Sequence, residues 1–419
     1  MLAEIITVGD ELLLGQTIDT NSAWMGEHLA LSGIAVDRIS TISDAPNALV
    51  DALDLALKSV DLVLITGGLG PTLDDRTKQV LSDYFDTPLV QHDGVLANIT
   101  RWFAHRGLPM LPSNVEQALL PEACEMLPNP LGTAQGMWFG VKGGHQVVVS
   151  MPGVPYEMKG IMTDEVIPRL QDRFALPTRY HRTILTQGVG ESFMSEHVAT
   201  WEEGLAARQV SLAYLPAPGQ VRVRLSSEGE NQEEVVRRVE QEVVAFKALC
   251  EHWIVSEREG ESVATALTRE LISSGKTLAL AESCTGGAIA SSMTAIPGSS
   301  ACFLGGVVAY ANEVKVDLLG VSKDVIEAHG AVSEEVVKEM AQGVRRRMAA
   351  DYALATSGVA GPGGGTKEKP VGTVWMALAG PDGVQARVLN FGQSRSRNIE
   401  KARLECQAWL LRELREDKR

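Results

Sequence analysis

Short runs of aliphatic and β-branched residues alternate with amphipathic stretches along the first part of the chain. The alternating segments are 4–8, 20–32, 35–42, 45–59 and 62–66, and a further buried strand is predicted at 146–150 before a rigid turn at 151–155. Strict alternation of strands and helices is typical of a parallel sheet covered by helices. We therefore expect residues 1–172 to form one α/β domain.

The pattern changes between residues 173 and 255. A strand is predicted at 183–187, a helix at 191–203 and a charged helix at 232–249. In 221–225, apolar residues alternate with arginine, which is typical of a strand in a sheet that is covered on one side. We expect a small α+β domain here.

Residues 256–419 return to the alternating α/β pattern. The predicted elements are helices at 262–274, from about Thr285, at 312–319 and at 398–413, and strands at 277–281 and 372–379. The chain has 419 residues, more than the ~250 to 300 at which single cores usually stop growing. The sequence therefore predicts three domains, two α/β sheet domains joined by the small α+β domain.

Composition and charge exclude several classes of function. Apolar residues make up 45% and charged residues 22% of the chain, as in ordinary globular proteins, and no apolar run is long enough to cross a membrane. A net charge of -15 disfavours direct binding to nucleic acid. The five cysteines are scattered without a Cys-x-x-Cys pair, and the first residues do not resemble a secretion signal. We expect a cytoplasmic protein without a membrane or nucleic-acid partner.

Three polar clusters follow predicted strands in the N-terminal domain: Gly9-Asp10-Glu11, Ser43-Asp44 and the run from Gly67 to Asp75. Ligands bind beyond the carboxyl ends of strands in open α/β sheets. Glycines let backbone amides approach an anionic group closely, and carboxylates can hold a cation such as Mg²⁺. The combination favours a phosphorylated ligand, although a structural turn for the glycines and a helix N-cap for Asp44 are also consistent with the sequence.

This region resembles the molybdopterin-binding fold of proteins that make the molybdenum cofactor. The resemblance assigns the N-terminal site to Asp10, Gly67, Gly68, Gly70 and Thr72, and a divalent metal such as Mg²⁺ to Glu11, Asp44 and Asp75. It leaves open whether the domain catalyses a reaction or only binds a pterin or nucleotide.

The densest chemistry in the C-terminal domain lies in residues 281–287, Ala-Glu-Ser-Cys-Thr-Gly-Gly, where a strand ends and a helix is predicted to begin. Such a junction offers N–H groups to an anion or oxyanion. Ser283 is a candidate nucleophile, while Ser283 and Thr285 are also consistent with N-caps. Cys284 is an alternative nucleophile, but an unpaired cysteine is more often an inert core residue. No zinc-binding spacing occurs, so no cofactor is expected at this site.

Further motifs at 296–300, 310–315, 329–333, 356–364 and 369–375 complete a pattern that resembles the CinA family over the whole chain. The resemblance implies an N-terminal molybdopterin-binding-like domain, a KH-like middle domain and a C-terminal amidohydrolase. The middle segment has no Gly-x-x-Gly loop, so we do not expect it to bind RNA.

The resemblance also implies activities and an assembly. It implies hydrolysis of nicotinamide mononucleotide to nicotinate mononucleotide and ammonia at the C-terminal site, and metal-dependent hydrolysis of ADP-ribose at the N-terminal one. It further implies a homodimer or a larger assembly. A role as a DNA-processing partner is disfavoured by the net charge of -15.

Breaking a carboxamide requires a nucleophile, a base and donors for the oxyanion. Taken alone, Lys315 is typical of a surface lysine, and the resemblance instead favours a general base oriented by Tyr310. His329 is expected to be a turn or cap residue. The phosphate is expected to meet the 361–365 loop and Arg397, unless Arg395 and Arg397 are simply exposed cations. The complete prediction is Ser283, Thr285, Tyr310 and Lys315 for catalysis and Gly286, Gly287, Ser357, Gly361, Gly363, Gly364 and Arg397 for the substrate.

Overall fold

A computed structural model describes residues 1–72 and 74–416. The described chain forms two compact units, one of residues 1–180 with 228–236, and one of residues 181–227 with those from 237 onward. Each unit contains sheets flanked by helices, which confirms the α/β fold class. Among the described helices, none combines the length and apolar character needed to span a membrane.

The first 173 residues supply the elements of the N-terminal sheet domain. In chain order they are β1 (Leu2–Val8), α1 (Asp10–Leu13), α2 (Thr20–Leu31), β2 (Ala35–Ile42), α3 (Pro46–Ala56), β3 (Leu62–Thr66), α4 (Thr77–Tyr84), β4 (Leu89–Gln91), α5 (Asp93–His105), α6 (Pro112–Glu116), β5 (Leu119–Pro121), β6 (Glu125–Leu127), β7 (Gly136–Val141), β8 (Gln146–Met151), α7 (Pro155–Ile161) and α8 (Ile167–Arg173). The predicted segments up to Thr66 and the strand at 146–150 are therefore confirmed, with ends shifted by a few residues.

The six-stranded sheet of this domain has the order β2-β1-β3-β8-β7-β6. The strands β2, β1, β3 and β8 are parallel, as predicted, whereas β7 and β6 are antiparallel. The expected parallel arrangement does not extend to β7, because only residues 142–145 connect β7 to β8, too few for a crossover. The side chains of β3 alternate between two cores, Leu62 and Leu64 on one face and Val63 and Ile65 on the other.

The middle of the chain forms a four-stranded sheet with the order β10-β11-β9-β12. Its elements are β9 (Thr178–Gln187), α9 (Glu191–Glu203), β10 (Ser211–Ala217), β11 (Gln220–Gly229), α10 (Gln232–Cys250) and β12 (Ile254–Ser256). Along β11, Val221, Val223 and Leu225 are buried while the arginines between them are partly exposed. The alternation confirms that one face of this sheet is covered.

The C-terminal domain contains a five-stranded sheet with the order β14-β13-β15-β16-β17. Its elements are α11 (Val263–Ser274), β13 (Leu278–Glu282), α12 (Ala288–Thr294), β14 (Phe303–Val308), α13 (Asn312–Leu319), α14 (Lys323–His329), α15 (Glu334–Met348), β15 (Tyr352–Gly358), β16 (Thr373–Gly380), β17 (Gly383–Asn390) and α16 (Arg395–Glu416). The strands β14, β13 and β15 are parallel to one another. β16 pairs antiparallel with β15, and β17 pairs antiparallel with β16. Residues of α11 and α16 pack on one face of the sheet and residues of α15 on the other.

The helix expected from Thr285 begins only at Ala288. Gly286 and Gly287 have φ angles of 62° and 96°, in the left-handed region that glycine adopts without steric cost. The residues after β13 therefore form a tight turn, and the start of α12 is displaced toward the C-terminus.

Candidate functional sites

The carboxyl ends of three parallel strands bring the predicted C-terminal site together. The amide of Ser283, just after β13, donates to Thr356 O in β15 at 3.0 Å. The amide of Ala309, just after β14, donates to Glu282 O at 2.8 Å. The turn that carries Ser283, the segment that leads to Lys315 and the end of β15 therefore lie at one edge of the sheet, where ligands bind in α/β folds.

Glu282 is a residue that sequence reasoning missed. Its side chain is buried, with 1% exposure, and its carboxylate accepts hydrogen bonds from the amides of Gly287, Ile289 and Ala290 at 3.0, 3.1 and 2.8 Å. These donors belong to the start of α12, whose N-cap, Gly287, has no side-chain acceptor of its own. The carboxylate thus satisfies amides that a helix start leaves unpaired. Its position at a strand end, one residue before Ser283, was the available signal.

This cap corrects the expected use of the glycine amides. The Gly287 amide is occupied by Glu282, and the Gly286 amide donates to Ser283 O at 3.1 Å. Neither amide is free to bind an oxyanion. Ser283 and Thr285 are not N-caps either, because Thr285 Oγ1 lies 2.7 Å from Thr356 Oγ1 in a buried pair. The Ser283 hydroxyl has no hydrogen-bond partner among the described residues.

Lys315 is buried rather than on the surface, with 1% exposure. Its Nζ donates to Ala309 O at 2.8 Å and to Tyr310 O at 3.3 Å. Burial lowers the pKa of Lys315, although Cys284 and Glu313 oppose this shift. Burial disfavours the charged form of a lysine relative to the neutral amine. No hydrogen bond joins Lys315 to Ser283 in this structure.

Cys284 is a core residue with 6% exposure. Burial raises the pKa of its thiol to about 12, so the thiolate is scarce at neutral pH. Because the thiolate is the nucleophilic form of cysteine, this environment disfavours Cys284 as the nucleophile.

Arg395 and Arg397 both lie in the first turn of α16 and are both exposed, but their contacts differ. Arg395 donates from Nη1 to Gly361 O at 2.9 Å and from Nη2 to the Tyr310 hydroxyl at 3.2 Å. Arg397 lies in the same first turn of α16, is exposed, and makes no hydrogen bond or ion pair with a described residue. The role of Arg397 in binding the phosphate stays a prediction, and Arg395 is a further candidate, because its side chain contacts the 361–365 loop.

Asn398, which sequence reasoning also missed, anchors the backbone next to the 361–365 loop. Asn398 is fully buried, and its Nδ2 donates to Ala360 O at 3.0 Å and to Gly392 O at 2.8 Å. Gly363 and Gly364 are exposed, as expected for a ligand-facing loop. The Ser357 hydroxyl donates to Ala331 O at 2.6 Å, so it positions the loop before α15 in this structure.

The N-terminal clusters also meet at strand ends. The Asp10 amide donates to Asp44 Oδ2 at 2.9 Å, and the Gly67 amide donates to Met151 O at 3.1 Å. At Gly67, with a φ of 114°, a Cβ would lie 2.3 Å from Val8 O, so only glycine fits this approach of β3 to β1. Gly67, Gly68 and Asp10 thus occupy the expected edge of the sheet, and Asp44 does not cap α3, whose N-cap is Ala45.

The divalent-metal site expected at Glu11, Asp44 and Asp75 stays a prediction. Within residues 1–72 and 74–416, no three His, Cys, Asp or Glu side chains are grouped closely enough to hold a metal ion. Asp75 Oδ2 accepts from the amide of Thr72 at 3.1 Å and from its hydroxyl. The carboxylate of Asp44 accepts a hydrogen bond from the Asp10 amide. Asp44 lines a small crevice together with Asp74, and Asp75 does not line it.

Two buried residues that were not predicted support this edge. Asn21 Nδ2 donates to Gly153 O at 2.8 Å and to Thr66 Oγ1 at 3.2 Å, which ties the ends of β3 and β8 to α2. Glu157 follows the predicted rigid turn and accepts from Asn129 Nδ2 at 2.6 Å. Burial raises the pKa of Glu157. Asn129 carries no strand or helix pattern, so only the fold reveals this pairing.

Comparison with known families divides the chain into three matches. Residues 4–172 match the family described as "Probable molybdopterin binding domain", residues 181–251 match the "Damage-inducible protein CinA KH domain", and residues 260–414 match the "CinA C-terminal domain". Their order is the predicted one.

The chain also matches relatives over nearly their whole length. The chain is 43% identical over 416 residues to a CinA-like protein of Cytophaga hutchinsonii, covering 99% of each chain, and 42% identical to one of Flavobacterium psychrophilum, covering 96% of each. Among solved structures, the competence/damage inducible protein CihA from Agrobacterium tumefaciens is 37% identical and covers 36% of this chain and 95% of its own, with a TM-score of 0.35.

Proposed function

Because the chain belongs to the CinA family, we propose that its C-terminal domain hydrolyses the carboxamide of nicotinamide mononucleotide to give nicotinate mononucleotide and ammonia. The observation that carries this proposal is the buried Lys315, whose pKa is lowered, at the same sheet edge as the unpaired hydroxyl of Ser283. A nucleophile and a base at one strand edge are what amide hydrolysis requires.

In the proposed reaction, Ser283 Oγ attacks the carboxamide carbon while the neutral amine of Lys315 accepts the hydroxyl proton. A neutral amine has two N–H groups and one lone pair. Its N–H groups are engaged by Ala309 O and Tyr310 O, which leaves the lone pair for the proton. The Ser283–Lys315 hydrogen bond would form on substrate binding, as catalytic hydrogen bonds often do.

The second half of the reaction returns the proton. The ammonium of Lys315 protonates the departing NH₂ group, so that ammonia leaves and an ester of Ser283 with the nicotinate carbonyl remains. Water then hydrolyses this ester: Lys315 accepts a proton from the attacking water and returns it to Ser283 Oγ as the C–O bond of the ester breaks, which releases nicotinate mononucleotide and restores the serine hydroxyl and the neutral amine. No metal or cofactor is proposed for these steps.

We assign the phosphate of the substrate to Arg395 and to the exposed 361–365 loop. Arg395 is held by Gly361 O and the Tyr310 hydroxyl, so its guanidinium is already ordered beside that loop. An ordered guanidinium binds phosphate with little further loss of conformational freedom. Tyr310 orients Arg395 and, through its carbonyl, Lys315.

The experiment is to incubate the purified full chain with nicotinamide mononucleotide and to measure nicotinate mononucleotide and ammonia together. Equal amounts of both products support the proposal, and intact substrate refutes it. Nicotinamide riboside, which lacks the phosphate, is the matched control. It should react with a raised KM.

For the N-terminal domain we propose hydrolysis of the pyrophosphate bond of ADP-ribose, which the glycine loop at Gly67 and the carboxylates at neighbouring strand ends support. The described residues do not form a ready metal site, so no step is assigned to a metal. The alternative is a module that binds a pterin or nucleotide without chemistry. Incubation with ADP-ribose, with and without Mg²⁺, distinguishes the two, because a binding module returns the ligand intact.

A further inference from the structure

The loop between β15 and β16 is exposed in its middle and closed at its base. Gly363, Gly364 and Gly365 are exposed, and their amides donate no hydrogen bond to a described residue. A Cβ at Gly361 would lie 2.5 Å from Val371 Cγ1, and one at Gly365 would lie 2.7 Å from the Val371 amide nitrogen. Both parts of the loop therefore pack on the same residue, and the loop folds back on itself.

Lys369 is a half-buried cation at the end of this loop. Its Nζ donates to His329 O at 2.7 Å, and its amide donates to Thr366 Oγ1 at 3.0 Å. An ammonium has three N–H groups, and His329 O is the one acceptor that Nζ contacts among the described residues. Lys369 forms no ion pair with these residues. Two of its N–H groups and its positive charge are thus left for an anion.

A chain of contacts joins Lys369 to the candidate amidohydrolase residues. His329, which accepts from Lys369, is two residues before Ala331, whose carbonyl accepts from Ser357 Oγ at 2.6 Å. Ser357 lies in β15 next to the residue whose carbonyl accepts from the amide of Ser283 at 3.0 Å. Lys369 and the candidate nucleophile are therefore held at the same edge of the sheet.

Arg395 lies at the other end of the loop, where its Nη1 donates to Gly361 O at 2.9 Å. It forms no ion pair with a residue in the described ranges. The loop thus carries one cation without an anionic partner at each end, with unpaired glycine amides between them. A phosphate monoester has a charge of about −1.5 to −2 at neutral pH, so one guanidinium neutralises only part of it.

We propose that Lys369 is the second cation of the phosphate site, and that the two cations together select substrates that end in a phosphate monoester. The proposal rests on the proposed amidohydrolase function and adds a specificity-determining residue to it. Lys369 and Arg395 bind phosphate oxygens from opposite ends of the loop, and the glycine amides bind between them. Because His329 already holds the Lys369 side chain, little conformational freedom is lost when phosphate binds.

The first test compares nicotinamide mononucleotide with nicotinamide riboside, which lacks the phosphate. Lys369→Met should raise KM for the mononucleotide by about tenfold or more, equivalent to ~1.4 kcal/mol, and leave KM for the riboside nearly unchanged. Lys369→Arg keeps a cation and should restore most of the loss. An equal rise of KM for both substrates would show that Lys369 only holds the loop, and would overturn the proposal.

Lys367→Met is the matched control, because Lys367 is an exposed lysine of the same loop without a partner in the part of the chain that the structure describes. Its KM values should equal those of the wild type. An effect of Lys367→Met as large as that of Lys369→Met would point to the general charge of the loop and would also overturn the proposal.

Binding is measured without turnover by calorimetric titration of the full chain carrying Ser283→Ala with nicotinamide mononucleotide. Addition of Lys369→Met should weaken this binding by about tenfold. If the wild type releases no ammonia but this loss of affinity is observed, the proposed hydrolysis is refuted while the phosphate site is supported. Equal affinity with and without Lys369→Met, or no binding at all, would overturn the phosphate site.

Discussion

The pKa of Lys315 is set by its buried surroundings and differs from that of an ordinary lysine. On a surface this lysine would be a hydrated cation, but here it is buried, and the hydrogen-bond acceptors that its Nζ contacts among the described residues are the carbonyls of Ala309 and Tyr310. Two carbonyl dipoles stabilise an ammonium less than bulk water does. The result is a lowered pKa, which is what a general base needs near neutral pH.

We predict that the stabilising effect of Lys315 depends on pH. Its pKa is lower in the folded chain than the ordinary lysine value of 10.5, so between these two values the unfolded chain binds more protons. The free energy of unfolding of the wild type, relative to Lys315→Met, should therefore rise as the pH increases through that window. Denaturant unfolding at several pH values measures it, and a difference that falls with pH would contradict the buried, neutral lysine.

We predict that Arg395→Gln and Arg397→Gln differ sharply. The first removes the guanidinium that contacts Gly361 and Tyr310. It should raise KM for nicotinamide mononucleotide by a factor that corresponds to the ~1.5 to 3 kcal/mol of a charged hydrogen bond. The second removes an exposed cation and serves as the control, with KM nearly unchanged. The reverse order of effects would restore the role first expected for Arg397.

The helix α12 depends on a strand residue for its beginning, because Glu282 of β13 binds its first amides. We predict that Glu282→Gln destabilises the fold by ~1 to 3 kcal/mol, since an amide brings one oxygen and an NH₂ group to a site that holds only donors. It should also lower kcat by displacing the Ser283 turn. Thermal unfolding and initial rates measure both effects, with exposed Glu327→Gln as the control. Unchanged stability would contradict the capping role.

Elements were predictable from sequence where apolar periodicity alone determines them, as for β3, α9 and β11. The antiparallel pairing of β7 with β8 was not predictable from sequence. The direction of a strand depends on the length of the connection before it, and apolar periodicity does not locate the ends of that connection. The start of α12 was misplaced because small polar residues after β13 suit a cap as well as a turn. Contacts distant in sequence, such as Asn398 with Ala360, left no local pattern.

The candidate sites were predictable as locations but not as contacts. Strand ends indicated that Ser283 and Gly67 lie at sheet edges, because parallel topology brings such ends together. Which of two neighbouring arginines faces the loop, and which carboxylate meets which amide, depends on helix phase and side-chain packing. The homodimer implied by the family resemblance stays a prediction that sedimentation equilibrium can test.

At the scale of the whole molecule, the two candidate sites belong to separate compact units with separate cores. We predict that Asp75→Ala abolishes turnover of ADP-ribose and leaves hydrolysis of nicotinamide mononucleotide within a few fold of wild type, since separately folded domains tolerate each other's substitutions. Both rates should be measured on one preparation. Parallel loss of both activities would show that the sites are coupled.

The most direct test of the account is the rate of ammonia release from nicotinamide mononucleotide by the full chain and by Ser283→Ala and Cys284→Ala variants. We predict that Ser283→Ala lowers kcat on the order of 10³-fold or more, as loss of a nucleophile does. Cys284→Ala should remain active, because burial keeps that thiol protonated. A Ser283→Ala protein that retains more than about a tenth of the wild-type kcat, a loss below ~1.4 kcal/mol, would contradict the serine mechanism.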